Sequence, residues 1–411
     1  MKIKVKNKAR AFVSIVVVCL LIISVCVLMV KKGTDKDKQN TVPDSSSAGE
    51  QLSPESGENS KDNSNSSNET GSGDSSNSET DGLNSDSAGQ EEGNNNGNAN
   101  SYVKLSEEEL AKFKPNEAGK VMVVMFHNFI ETYKSGDKEY TTTFDDFRNL
   151  LQELYDRGYR LISLSDYINN NIDVEAGCVP MVFTFDDGTA GQFNLVEENG
   201  KLVANKQSAV GIMEEFNKTH PDFGLKGTFF VNLGLKTFDG EGTLEERLQY
   251  LIDKGFEIGN HTLEHVKLSE ITTAEKIQQQ IGGNQKKMLE LIPGYTMDTF
   301  SLPYGLPSEK LVGYVIEGEF EGIKYKNKAI MEVGWDPNPS PVSRNFNPLS
   351  VHRVRASGIE PVQADLAWWL SSLKRENEYV SDGNPNTVTV PKEKEEEIDH
   401  DKLNGKELIV Y

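Results

Sequence analysis

The chain has 411 residues, enough for one large barrel domain with appended segments or for two ordinary domains. Its formal net charge of -21 excludes a general nucleic-acid-binding protein, because such proteins hold phosphate through a surplus of Lys and Arg. Of the three cysteines only Cys178 lies outside an apolar N-terminal segment, which excludes an intrachain disulfide or a thiolate zinc site in the rest of the chain.

The first 32 residues predict a membrane anchor. A strongly basic start precedes an uncharged, mostly apolar run at 11–30, which as a helix would be about 30 Å long, the thickness of a bilayer core. We therefore predict a single transmembrane helix, an uncleaved signal anchor, with the remainder of the chain outside the cell. A cleaved signal peptide and a lipoprotein modified at Cys26 are the alternatives.

Residues 33–101 predict a disordered, acidic linker. They are mainly Ser, Asn, Gly, Asp and Glu, and their only branched aliphatic residues are Val42, Leu52 and Leu83. Such a segment cannot bury enough apolar surface to offset the entropy of ordering. As a flexible coil it would span about 45 Å, which suits an exterior domain working within a cell wall, although a spacer of no special purpose is equally compatible.

From residue 102 the sequence alternates predicted strands and helices. Buried strands are predicted at 121–126, 160–164, 180–185, 227–231, 256–259, 299–302, 329–333 and 351–354. Helices are predicted at 143–157, 206–217, 244–254, 273–291 and 362–374. Repeated strand–helix units indicate an α/β fold with a parallel sheet and helices outside it, most economically a barrel. We expect this domain to occupy 102–380 and a polar, acidic tail to occupy 381–411.

An apolar run at 179–185 ends in two adjacent carboxylates, Asp186 and Asp187. Strand C-termini are where α/β folds place their chemistry, because the loops there converge. An isolated pair of this kind would be an ordinary polar turn. The same four letters, Thr-Phe-Asp-Asp, recur at 143–146 without a preceding apolar strand, and we assign that copy to a helix N-terminus capped by Thr143.

Two histidines, His261 and His265, follow directly on another predicted strand. In a helical turn their spacing of four residues places both imidazoles on one face, where they could reach one metal ion. Such a pair is often solvated surface, but this one begins at a strand C-terminus, as the carboxylate pair does. Two imidazoles and one carboxylate give three ligands and leave positions for water and substrate, as in catalytic metal sites.

Taken together, Thr-Phe-Asp-Asp-Gly at 184–188 and His-Thr-Leu-Glu-His at 261–265 resemble the polysaccharide deacetylase family, the NodB-homology domain of carbohydrate esterase family four. Gly-Thr-Phe-Phe-Val at 227–231 adds to this resemblance. Val-Met-Phe-His at 124–127 is similar to the start of the branch that acts on poly-N-acetylglucosamine. The resemblance spans 120–360 and implies a distorted (β/α) barrel that removes acetyl groups from N-acetylated sugars.

The resemblance also implies roles for individual residues. By the family's pattern, Asp187, His261 and His265 would hold a divalent metal, and Asp186 would be the general base. Zinc suits such ligands, and cobalt, nickel or manganese would fit too. The family's third motif matches Pro-Tyr-Gly at 303–305, which implies that the Tyr304 backbone N–H stabilises an oxyanion. An ordinary turn explains those three residues as well.

One position departs from the family's pattern. Ser301 stands where the family usually has an arginine that orients and tunes the base. Either another cation takes that place, with Arg344, Arg353 and Arg355 as downstream candidates, or Asp186 is tuned differently.

Two histidines are candidates for the general acid. His352 is the histidine expected from the fifth motif, but its surroundings lack the usual apolar residues, and His127 could instead reach the site from the first strand. Trp335-Asp336 matches the fourth motif, or is simply a packed Trp before a turn. His220 and His400 are expected to have no role in the site.

The sequence thus predicts an extracellular, membrane-anchored, metal-dependent deacetylase. Its expected partners are an N-acetylated polysaccharide, such as peptidoglycan or a poly-N-acetylglucosamine-like polymer, and the membrane, but not nucleic acid. A carbohydrate-binding protein that kept the metal site and lost turnover is the alternative, motivated by Ser301 and the uncertain late histidine. A barrel glycosidase with two carboxylates about 5–9.5 Å apart is a third, weaker hypothesis.

Overall fold

The computed structural model describes residues 102–137, 139–334, 336–357 and 364–411. The transmembrane helix predicted at 1–32 and the disordered linker predicted at 33–101 lie outside these ranges. Within the described ranges, no helix combines the length and the apolar character that a membrane crossing requires.

The described residues form short strands and helices in alternation. The strands are β1 (Met122–Phe126), β2 (Asn128–Ile130), β3 (Thr141–Thr143), β4 (Tyr159–Ile162), β5 (Val179–Asp186), β6 (Leu195–Glu198), β7 (Lys201–Ala204), β8 (Thr228–Val231), β9 (Glu257–Asn260), β10 (Thr299–Ser301), β11 (Glu317–Phe320), β12 (Ile323–Lys326), β13 (Ala329–Met331), β14 (Val354–Arg355), β15 (Thr387–Val390) and β16 (Glu407–Val410). The helices are α1 (Glu107–Phe113), α2 (Phe144–Asp156), α3 (Leu164–Ile168), α4 (Ala209–Asn217), α5 (Leu244–Asp253), α6 (Ala274–Leu291), α7 (Gly313–Ile316) and α8 (Leu366–Ser372).

Eight of the strands form one curled sheet. Their order is β13-β10-β9-β8-β5-β1-β14, with β4 pairing the start of β5, and every pairing in this sheet is parallel. An isolated parallel bridge between Met331 and Val351 brings the two ends of the sheet together. This arrangement confirms the predicted α/β fold with a parallel sheet, which here is curled into a half-barrel, and it places the strand C-termini around one opening.

The alternation of β5 shows how this sheet separates core from site. Phe183 and Phe185 are fully buried, and the Phe183 ring lies 6.2 Å from that of Phe147 on α2. Thr184 and Asp186 lie on the opposite face, where both accept a hydrogen bond from one arginine side chain. Because side chains of a strand alternate between faces, the aromatic residues build the helix-facing core while the polar residues face the opening.

Helix α2 confirms the interpretation of the second Thr-Phe-Asp-Asp copy. Thr143 is the N-cap, and its hydroxyl accepts a hydrogen bond of 3.1 Å from the backbone N–H of Asp146. The carboxylates therefore open a helix at its positive end.

The prediction of a polar tail at 381–411 is wrong. Strand β15 is buried along its whole length and pairs in parallel with β16. Val388, Val390, Ile398 and Leu403 form a small apolar cluster with side chains from earlier in the chain. The average composition was misleading, because the exposed charges lie in the short helical turn at 392–397 while the few apolar residues around it are buried.

Candidate functional site

A cavity of about 320 Å³ opens where the strands of the curled sheet end. Its walls come from the C-terminal ends of four strands, since His127 follows β1, Asp186 ends β5, His261 follows β9 and Leu302 follows β10. The lining residues are His127, Asn128, Tyr140, Asp186, Asp187, His261, His265, Leu302, Pro303, Tyr304 and Val333. Five of the six predicted site residues are thus in one place, and His352 is not among them.

Asp187, His261 and His265 form the group in the described ranges whose ligand atoms could hold a metal ion. One ligand atom from each lies within 4.8 Å of the others. The Oδ1 atom of Asp187 is 3.5 Å from Nε2 of His261 and 3.2 Å from Nε2 of His265. That oxygen is buried and has no hydrogen-bond partner of acceptable geometry in the described structure. A buried, unsatisfied carboxylate oxygen facing two imidazoles fits a cation better than it fits a hydrogen-bonded network.

Ser301 fixes which nitrogen of His261 faces Asp187. Nδ1 of His261 lies 2.8 Å from the carbonyl oxygen of Ser301. A carbonyl can only accept, so Nδ1 donates and the lone pair of the neutral ring is on Nε2, towards Asp187. The imidazole is therefore oriented as a metal ligand.

The two histidines do not lie on a helical turn, contrary to the sequence interpretation. Residues 261–267 contain no helix, and Thr262 and His265 have left-handed backbone angles of φ 67° and 51°. The imidazole rings nevertheless lie 4.9 Å apart, because the loop bends back on itself. Asp187 and Tyr304 also have positive φ, at 80° and 57°. A non-glycine residue rarely adopts this conformation, and such residues concentrate at functional sites.

Asp186 is held by a different set of partners from its neighbour. Arg353 donates two hydrogen bonds of 2.7 Å, one to each carboxylate oxygen, and the Ser301 hydroxyl donates a third of 3.1 Å. Burial by itself would raise the pKa of Asp186, but the charges of Arg353, His261 and His127 and the hydrogen bonds from Arg353 together outweigh burial and lower that pKa below its usual value. Asp186 is therefore ionised at neutral pH.

Arg353 is thus the cation that faces Asp186 where the family arginine is replaced by Ser301. It is fully buried, and its Nη2 also donates a hydrogen bond of 2.9 Å to the Ser301 hydroxyl. Of the other two candidates, Arg344 donates to the Ile398 carbonyl and Arg355 pairs with Asp365. The sequence named Arg353 but offered no means of choosing it among the three.

The prediction of His352 as a catalytic residue is not supported by its position. Its side chain is 42% exposed, and Nδ1 lies 2.8 Å from Oδ1 of Asp336. Arg353, the next residue, points inward, so the alternation of an extended chain turns His352 away from the cavity. Trp335, the other half of the predicted fourth motif, lies outside the described residues. His220 and His400 are absent from the cavity lining, as expected.

His127 occupies the cavity instead. Its Nε2 lies 3.8 Å from Oδ2 of Asp186. Burial lowers the pKa of His127, and the nearby carboxylates Asp186 and Asp187 oppose that shift only in part. The imidazole is close enough to the carboxylate for both to act on one substrate group.

Tyr304 lies at the mouth of the cavity. It follows β10, its side chain is 63% exposed, and its ring lies 4.9 Å from that of His265. The predicted Pro-Tyr-Gly turn is therefore next to the candidate metal ligands, and the ring itself is free to meet a ligand from solvent.

Residues 173–321 match the family model described as polysaccharide deacetylase. Over these residues the chain is similar to the polysaccharide deacetylase family. The matched stretch contains the Asp186–Asp187 pair, both histidines of 261–265 and Tyr304. His127, which lines the cavity, and Arg353, which pairs with Asp186, lie outside that stretch.

The chain is also similar to individual polysaccharide deacetylases. YxkH of Bacillus subtilis (strain 168), which carries a polysaccharide deacetylase name, is 22% identical over 257 residues, 62% of this chain and 77% of its own. The crystal structure of BC0361, a polysaccharide deacetylase from Bacillus cereus, is 19% identical, with a TM-score of 0.46 over 62% of this chain and 69% of its own. The structure of Streptococcus pyogenes deacetylase PplD in complex with acetate is 15% identical, with a TM-score of 0.46 over 62% of this chain and 98% of its own.

Proposed function

We propose that this protein is a metal-dependent hydrolase that removes acetyl groups from N-acetylated polysaccharide. One observation carries the proposal. The three candidate ligand atoms of Asp187, His261 and His265, an ionised carboxylate on Asp186 and the imidazole of His127 share a single cavity. The match of residues 173–321 to the polysaccharide deacetylase family model supports the reaction class.

Asp187, His261 and His265 would hold the metal. Their one oxygen and two nitrogen ligands suit zinc, and cobalt, nickel or manganese are alternatives. A divalent cation bound there supplies Lewis acidity, which polarises an amide carbonyl and lowers the pKa of water towards neutrality.

Asp186 acts as the general base. It accepts a proton from the water whose oxygen forms the new bond to the acetyl carbon. Arg353 and Ser301 keep the carboxylate ionised and fix its orientation, and its Oδ2 lies 3.9 Å from Nε2 of His261, beside the candidate ligands. A base placed next to the reacting water needs no further movement to take the proton.

Tyr304 and His127 stabilise the negative charge that develops on the carbonyl oxygen and on the leaving nitrogen, respectively. The backbone N–H of Tyr304 donates a hydrogen bond to the oxygen that becomes negative when water adds to the carbonyl. His127 donates a proton to the nitrogen as the carbon–nitrogen bond breaks, which releases a neutral amine instead of an unstable anion. The products are acetate and a sugar amine.

We further propose that the domain acts outside the cell and is held at the membrane by residues 1–32. The apolar run at 11–30 and its basic flank support this location. A wall or capsule polymer of N-acetylated sugars, such as peptidoglycan or poly-N-acetylglucosamine, would then be within reach of the tethered domain.

The test uses the full-length protein purified with and without metal. We expect about one divalent ion per chain, and acetate released from N-acetylglucosamine oligomers or peptidoglycan fragments. His261→Ala should abolish both metal binding and acetate release, whereas His220→Ala, the matched control outside the cavity, should leave both intact. Metal binding that survives His261→Ala would refute the assigned ligands.

Asp186→Asn separates an enzyme from a binding protein. The amide keeps the shape of the side chain but cannot accept the proton, so we expect metal to bind and acetate release to cease. A wild-type protein that binds metal and sugar but releases no acetate would instead establish the carbohydrate-binding alternative. That alternative was motivated by Ser301 in place of an arginine and by the unassigned general acid. In the structure Arg353 pairs with Asp186, and His127 lies in the cavity.

A further inference from the structure

The His127 ring has an unusual set of restraints. Its backbone is fixed, because the carbonyl accepts a hydrogen bond of 2.7 Å from Nε2 of Gln192. Its Nδ1 atom is buried and has no hydrogen-bond partner among the described residues. Catalytic imidazoles are usually oriented by a hydrogen bond at the nitrogen that does not react. The orientation of the His127 ring must therefore depend on contacts other than a hydrogen bond at Nδ1.

Tyr140 is the aromatic residue that contacts this imidazole. The ring centroids of His127 and Tyr140 lie 4.8 Å apart, with an interplanar angle of 66°. This edge-to-face geometry is a favoured one for aromatic pairs, because the positive edge of one ring meets the negative face of the other. Tyr140 also lines the cavity, so it is both a wall of the site and a support for the imidazole.

Arg355 holds Tyr140 in turn. Its guanidinium carbon lies 5.1 Å from the Tyr140 ring centroid, within the range of a cation–π contact. The guanidinium is itself fixed, since Nε and Nη2 lie 2.8 and 2.7 Å from Oδ1 of Asp365, and Nη1 pairs with Glu139. Because two carboxylates pair with the guanidinium, its position next to the Tyr140 ring is fixed.

Strand β14 explains why this arginine is in that place. It pairs with β1 so that Arg355 lies opposite Met125, two residues before His127. Arg353 and Arg355 are two positions apart and so lie on the same side of the extended chain. One short segment thus brings one arginine to Asp186 and a second to the support of His127.

We propose that Tyr140 and Arg355 are positioning residues, which hold the His127 imidazole at the angle needed to protonate the leaving amine. This inference rests on the proposed function, in which His127 is the proton donor. Neither residue takes part in proton transfer itself, since Arg355 is not in the cavity lining and the contact of Tyr140 with His127 is between the two rings.

The test is a double-mutant cycle on the full-length protein. Tyr140→Ala and Arg355→Met should each lower kcat about tenfold with KM changed less than about twofold, because the donor is misplaced while substrate binding is kept. Tyr140→Phe should recover most of the kcat lost in Tyr140→Ala, since it restores the ring. Arg344→Met is the matched control and should leave kcat unchanged.

The cycle is completed in a His127→Ala background. Once the imidazole is absent, Tyr140→Ala and Arg355→Met should change kcat by less than about twofold, because there is nothing left to position. Effects that remain fully additive in that background would overturn the proposal and indicate a substrate-binding or general structural role.

A second readout does not depend on turnover. Diethyl pyrocarbonate modifies accessible imidazole nitrogens, and mass spectrometry reports the rate for each histidine. We expect His127 to react several times faster in Tyr140→Ala and Arg355→Met, with His220 unchanged as internal control. If the wild type releases no acetate, the proposed function fails, and this rate still decides the positioning inference. An unchanged His127 rate in both variants would refute it.

Discussion

Arg353 and Asp186 lie 167 residues apart in the chain, yet the guanidinium donates one hydrogen bond of 2.7 Å to each carboxylate oxygen. Both side chains are buried, so each charge depends on the other for its compensation. The Ser301 hydroxyl bridges the pair from the position where an arginine was expected. The charge that orients the candidate base therefore comes from the residue just before β14, not from position 301 at the end of β10.

Replacing Arg353 should cost both stability and activity. Arg353→Met leaves the Asp186 carboxylate buried without a cation, and we expect the free energy of unfolding to fall by about 3–5 kcal/mol. Acetate release should fall at least a hundredfold, because the base loses its orientation. Denaturant unfolding and an acetate assay measure the two effects. Arg353→Met combined with Asp186→Asn should regain part of the stability, and a single variant as stable as wild type would contradict this account.

Ser301 contributes through two separate groups, which one substitution can separate. Ser301→Ala removes the hydroxyl between Arg353 and Asp186 but keeps the carbonyl that accepts from His261. We expect a loss of about 1–3 kcal/mol in unfolding free energy and a metal affinity unchanged within a few-fold. Calorimetric metal titration provides the second measurement. A large loss of metal affinity would show that the hydroxyl, not the carbonyl, orients the ligand set.

His127 and His352 should behave differently when each is replaced by alanine. We expect His127→Ala to lower acetate release from an N-acetylated sugar about 10²–10⁴-fold, because the amine leaves without a proton. The same variant should retain most of its activity on 4-nitrophenyl acetate, whose leaving group needs no proton. His352→Ala should stay within about twofold of wild type on both substrates, since its exposed ring pairs with Asp336 outside the cavity. A larger loss of acetate release in His352→Ala than in His127→Ala would instead identify His352 as the general acid.

Glu117 should make stability depend on pH far from the cavity. It is buried beneath the C-terminal segment, where its carboxylate accepts from the backbone N–H groups of Asp382 and Thr389. Burial, and then the charge of Asp382, raise its pKa from 4.5 to about 8, with Tyr379 and Lys406 as the other ionisable neighbours. The folded protein thus binds a proton that the unfolded chain has lost.

The direction in which stability changes with pH follows from that difference in proton binding. The stabilisation is complete below about pH 4.5 and is lost as pH rises through 8. We expect the Tm of the wild type to fall more steeply between pH 5 and pH 9 than that of Glu117→Gln, which cannot titrate. Parallel Tm curves for the two proteins would show that Glu117 is already ionised in the folded state.

The C-terminal segment should be essential to stability. Ile398 is fully buried in the cluster with Val388 and Val390, and we expect Ile398→Ala to lower the unfolding free energy by about 2–5 kcal/mol. Glu396→Ala, an exposed position in the same segment, is the control and should stay within about 0.5 kcal/mol of wild type. Equal effects at the two positions would indicate that the segment is detached in solution.

The sequence alone was enough for the parts of this protein that are local in the chain. Short runs rich in apolar residues predicted the strands of the sheet, because the strands of a buried parallel sheet are largely apolar. Asp186, Asp187, His261 and His265 could be singled out because each follows such a run. Thr143 could be assigned to a helix cap because no apolar run precedes it, and it is the N-cap of α2.

Local patterns failed where two distant segments meet. The acidic average over 381–411 hid a few apolar residues whose partners, such as Ala118 and Val342, are far away in sequence. The helical turn expected at 261–265 is instead a strained loop, because backbone strain is set by surrounding contacts and not by residue spacing.

What the sequence determined by itself is the identity and approximate place of the reactive side chains, because a strand followed by a polar residue is a short-range pattern. What only the tertiary structure decided is which of them meet. Arg353, and not Arg344 or Arg355, pairs with Asp186, and His127, not His352, lines the cavity. Charge pairing acts over a few ångströms in space, and the distance between residues in space is fixed by the curl of the sheet, not by their separation along the chain.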